Sequence, residues 1–131
     1  MTNALRAGLV VSLALAAGTA MAFNGYTVTE GPLELTIDPI ADVEALGEPR
    51  EVKVTVGNKG QSPLAVHLRM AGLVDEWYGV GETERDIVVA ASGIAETTFS
   101  IAARQGACSA LYPVHIYADF QDHGRTVTAH A

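Results

Sequence analysis

The sequence has a single cysteine, Cys108, among its 131 residues. One thiol cannot close an internal bridge, so the fold must rest on packing alone, and a buried, inert Cys108 is the expected state. Positive charge is scarce: eight Lys and Arg face fifteen Asp and Glu, for a net charge of −7. A chain of this sign is repelled by nucleic-acid phosphates and by anionic lipid surfaces, and its acidity favours solubility. No apolar run approaches the roughly 20 residues a spanning helix needs. There is no Gly-x-Ser-x-Gly elbow, no His-Glu-x-x-His zinc helix, no internal repeat and no low-complexity linker. These absences argue against hydrolytic chemistry and point to a protein that is not an enzyme.

What is present begins with an export signature. Arg6 is followed by the apolar run Leu9–Ala17, and Ala20-Met21-Ala22 supplies the small-x-small pattern read by signal peptidase. Cleavage is expected after Ala22, giving a signal peptide over 1–22 and one domain over 23–131, near the common single-domain size. Phe23 stands where a lipoprotein would carry cysteine, so the mature chain is expected to be periplasmic or extracellular, without membrane insertion.

Beyond the signal, the dominant pattern has period two. Leu33, Leu35 and Ile37 alternate with Glu34, Thr36 and Asp38; Val52, Val54 and Val56 alternate with Glu51, Lys53 and Thr55; Leu64, Val66, Leu68 and Met70 alternate with Ala65, His67 and Arg69. Phe99 and Ile101, then Tyr112, Val114, Ile116, Ala118 and Phe120, continue it. Alternation of this kind is the mark of strands with one face on a core and one in water. Turn residues at 57–63, 91–93 and 121–124 separate the runs. About seven short strands so spaced predict an all-β, antiparallel sandwich. Asp38-Pro39 before Ile40, Val43 and Leu46, with Gly47 behind, fits either one or two helical turns or an acidic loop. The alternation over Arg125–Ala131 stops without a turn, as at a natural edge or in a chain cut from something longer.

The stretch Glu51–Phe120 resembles the immunoglobulin-like modules of secreted bacterial proteins, in particular the domain associated with alpha-galactosidases and the cell-adhesion-related domain CARDB. The resemblance rests on the strand and Asn-x-Gly turn of Val52–Gly60, on Trp77, on Ile87–Ala91 with Ser92-Gly93, on the Thr-rich Glu96–Ile101, and on the Tyr-bearing strand Tyr112–Ala118. Pro113 within that last strand suggests an edge or a bulge. The resemblance implies an immunoglobulin-like sandwich with Trp77 in its core. It also implies an exported, non-catalytic role in protein or cell-surface contacts, as an accessory to a larger secreted enzyme or as an adhesive unit.

Two alternative readings rest on particular side chains. Adjacent aromatics on a strand point to opposite faces, so Trp77 or Tyr78, beside Asp75 and Glu76, could serve as a platform for a cell-surface glycan. A cupredoxin-like copper site would use His67, Cys108 and His115, which stand in the right order. It lacks an axial Met after Met70, and both histidines fall on the polar parity of their strands. Asp38, Asp42, Glu44 and Glu48 offer oxygens to calcium but lack the spacing of a dedicated loop. The sequence thus calls for no cofactor and no metal.

Overall fold

The computed structural model describes residues 26–131 apart from 109 and 111; the expected signal peptide, 1–22, lies outside the described residues. The chain forms nine strands: β1 (Tyr26–Glu30), β2 (Leu33–Ile37), β3 (Arg50–Asn58), β4 (Leu64–Ala71), β5 (Trp77–Gly79), β6 (Glu84–Val89), β7 (Ile94–Ala103), β8 (His115–Asp122) and β9 (Arg125–His130). They make two sheets, ordered β1-β2-β3-β7-β5 and β6-β4-β8-β9, with every pairing antiparallel. The protein is an immunoglobulin-like β-sandwich: β2, β3 and β7 face a sheet built on β4, β8 and β9, with β6 added at its edge.

The period-two pattern accounts for the layers. Leu33, Leu35, Val52, Val54, Val56 and Phe99 of one sheet, and Val66, Leu68, Ile116 and Ala118 of the other, are at most 2% exposed and form one core. Their alternate neighbours are polar and half-exposed, as in sheets with one wet face. Burial of each Leu, Ile or Phe is worth about 1.5–3 kcal/mol, so the sandwich stands without a disulfide.

The structure refines the strand count, decides between the two readings of 38–49, and corrects two expectations. There are nine strands rather than about seven, because β1 and β5 add a pair at opposite edges of one sheet. No helix occurs among the described residues: 38–49 is irregular, with Ile40 tucked into the core and the Gly47 amide donating to the Ala103 carbonyl. Pro113 lies before β8, which starts at His115, so proline interrupts no strand there. Cys108 is exposed, not buried, since it sits in the loop after β7 rather than on a core-facing strand position.

Candidate functional site

Because Val66, Leu68, Met70, Ile116, Ala118 and Phe120 face the core, the residues between them line the outer face of the four-stranded sheet. Strand register arranges these side chains in rows across β6, β4, β8 and β9. One row reads Asp86, His67, Asp119, Thr128; the next reads Glu84, Arg69, Tyr117, His130. His67 Nδ1 lies 2.7 Å from Asp86 Oδ1. Asp119 accepts from the Thr128 hydroxyl and, at 3.1 Å, from Arg69 Nε. These partners, the Thr128 hydroxyl foremost, outweigh partial desolvation and hold the Asp119 carboxyl below the ordinary carboxylate range.

The second row is an aromatic and cationic stack. The Arg69 guanidinium lies 5.0 Å from the Tyr117 ring centre. The His130 ring stacks on Tyr117 with centroids 4.4 Å apart and planes within 6°. His130 Nε2 is also 2.9 Å from His115 Nδ1, a hydrogen bond between two imidazoles. His115 in turn rests on Gly72, where a Cβ would come within 2.3 Å of its Cδ2. Gly72 has φ +76°, so any side chain there would be strained by backbone as well as by contact.

At the other end of this face the short side chain of Ala65 lies between Val88 on β6 and Gln121 on β8, leaving a shallow depression of about 410 Å³. Val88 rises beside it, 70% exposed. The outer flank of β6 pairs with no described strand.

Trp77 and Tyr78 lie elsewhere, on β5 at the edge of the five-stranded sheet. Trp77 packs against the core and against Tyr112, with ring centroids 5.5 Å apart, and its buried indole N–H has no acceptor among the described residues. One face of Tyr78 is covered by the Arg104 guanidinium, 4.4 Å from its centroid. Desolvation, with the nearby Cys108 and Asp75, pushes the Tyr112 phenol above its ordinary value.

The histidines and cysteine considered for copper are not brought together. His115 pairs across from Ala71, four residues along β4 from His67, which is about 13 Å at the usual strand rise. No group of three or more His, Cys, Asp or Glu suited to a metal occurs among the described residues. In the acidic connector, Asp38 pairs with Lys53 and Glu48 with Arg50, whose Nε also donates to the Asp42 carbonyl. His130, Tyr117, Ala65 and Val88 were not singled out by the sequence. Their parity was visible, but the register that makes them neighbours was not.

No protein-family model matches the chain, and no curated protein matches it. Among solved structures it is similar to a FixG-related protein from Vibrio parahaemolyticus, with 17% sequence identity and a TM-score of 0.44 over 78% of this chain and 94% of that one. No helix among the described residues is long and apolar enough to cross a membrane.

Proposed function

We propose that the protein is an exported, non-catalytic interaction module that binds a protein or cell-surface partner through the outer face of its four-stranded sheet and the free flank of β6. One observation carries the reading: the unpaired flank of β6 ends in Ile87-Val88-Val89, with Val88 standing 70% exposed beside the Ala65 depression. Exposed strand edges are usually guarded by charge. Glu84, Arg85 and Asp86 guard one half of β6, while the other half carries none. An incoming extended segment can add to such an edge through main-chain hydrogen bonds and place a side chain over Ala65. The absence of catalysis is supported by how the polar groups of the face are used, since Asp86, Asp119, Arg69 and His67 are spent on one another.

The test is cross-linking of the purified mature chain to an extract of its own cell envelope, beside Val88→Lys and Ala65→Arg. We expect a saturable complex that falls at least tenfold in both variants, while their stability stays within about 0.5 kcal/mol of the parent, as for other surface changes. A complex unaffected by either substitution, or a chain that finds no partner, overturns the reading. Glycan binding that is lost in Tyr78→Ala would replace it with the carbohydrate-binding alternative.

A further inference from the structure

We propose that His115 and His130 form a two-imidazole site for a divalent transition-metal ion, copper(II) before nickel(II) or zinc(II), on the outer face where β8 begins and β9 ends. The proposal is independent of the partner-binding reading, since it concerns the opposite end of that face.

The spacing carries it. His130 Nε2 and His115 Nδ1 are 2.9 Å apart. Metal–imidazole bonds of about 2.0–2.1 Å meeting at a right angle place two nitrogens about 2.9 Å apart, whereas a tetrahedral angle places them about 3.3 Å apart. The observed separation is set by the hydrogen bond, and it also lets the two nitrogens take neighbouring positions around one ion without the strands moving apart. The preference for copper(II) follows from the imidazole ligands and the usual affinity order. In the hydrogen-bonded pair one ring donates and the other accepts. To ligate, the donor ring moves its proton to its other nitrogen through water, so both facing nitrogens present lone pairs and no net proton is lost. Each lone pair then swings by about 45° from the line joining the two nitrogens to meet at a shared ion, through rotation of the imidazoles about their side-chain torsions.

The rings are kept close together by their neighbours. His115 lies against Gly72, and His130 is stacked on Tyr117, which is backed by Arg69. Arg69, which lies over Tyr117, is paired with Asp119, so it opposes an incoming ion less than a free guanidinium would. The described residues supply no third His, Cys, Asp or Glu to this pair. The remaining positions therefore belong to water or an outside ligand, which makes the site open and exchangeable rather than a closed structural one.

The test is titration of the untagged, chelator-washed full chain with copper(II), nickel(II) or zinc(II) in excess magnesium and calcium, followed by calorimetry. One saturable site is expected, with copper(II) tightest, and it should survive the hard cations because they prefer oxygen. His115→Ala and His130→Ala should each weaken copper(II) binding at least tenfold, while His67→Ala and His123→Ala leave it unchanged. Copper-induced broadening of the parent protein's NMR signals gives a second readout that does not depend on how the variants fold. Broadening centred on His115 and His130 supports the site. No saturable binding, or broadening centred on His67 and Asp86 or on Cys108, overturns it.

Discussion

Asp119 answers to two neighbours on other strands, Arg69 far away in sequence on β4 and Thr128 across the β8–β9 hairpin. Both favour its charged form, so its carboxyl titrates below the ordinary range near 3.9. A carboxyl with a depressed folded value stabilises the fold above its unfolded value, and that contribution disappears as pH falls through the folded one. Thermal melts from pH 7 down to pH 3 should therefore show Asp119→Asn less stable than the parent at neutral pH, with the gap closing in acid. A gap that does not change with pH would mean that the charge contributes nothing. In the sequence, Asp119 could be read as solvent-facing from the parity of Ala118 and Phe120. Its β4 partner could not, because nothing local fixes which residue of β4 comes alongside, and Thr128 follows only once the two-residue turn at 123–124 has set the β8–β9 register. The His115–His130 pair depends on that same hairpin register, although both histidines sit on visibly polar parity. Cys108 departs from the burial common to free thiols because it falls in the loop after β7.

At the level of elements, the strands that were legible are those with a buried face of three or more alternating apolar residues, such as β3 and β4. β1 was not legible, because four of its five residues are exposed and only Val28 packs inward. β5 has three residues, too few for a period to show. The apparent helix start at Asp38-Pro39 gave way because its backbone and side-chain partners lie elsewhere: the Asp38 amide donates to the Lys53 carbonyl and the Asp42 carbonyl accepts from Arg50. The β8–β9 turn is a two-residue connection with positive φ at both His123 (48°) and Gly124 (75°). Only turns of this hand match the twist of the strands they join, and Asn-Gly is their preferred pair. His123→Asn supplies that pair and should raise stability by about 0.5–1 kcal/mol, read as a higher urea midpoint. An unchanged or lower midpoint would show that His123 is not strained there.

Across the whole molecule, Asn58 ties one sheet to the other. It is 3% exposed at the end of β3. Its amide nitrogen lies 2.8 Å from the Ser62 carbonyl and 3.2 Å from those of Val89 and Ala90, where β6 of the opposite sheet ends. Its oxygen accepts from the Gly60 amide at 2.9 Å. Asn58→Ala leaves these groups without their partner and should cost about 2–4 kcal/mol, seen as a lower urea midpoint at unchanged slope. A loss below about 1 kcal/mol would show that water replaces the side chain. The sequence marked 57–63 as a turn, and the β3–β4 connection runs there, over 59–63. That the turn also fastens two sheets depends on where β6 ends, which the residues around Asn58 do not encode.

The pairing of distant strands has a consequence in time. Two connections, β1–β2 and β8–β9, join neighbours in sequence across two residues and can close in about 1–10 μs. The central pairs cannot, since Val52 must find Phe99 and Leu68 must find Ala118 before any core exists. A chain whose strongest contacts are its most remote ones assembles in milliseconds to seconds. For that interval the uncharged end of β6 and the apolar runs of β3 and β4 are open to any other unfinished copy, and the surplus of negative charge is what keeps such copies apart.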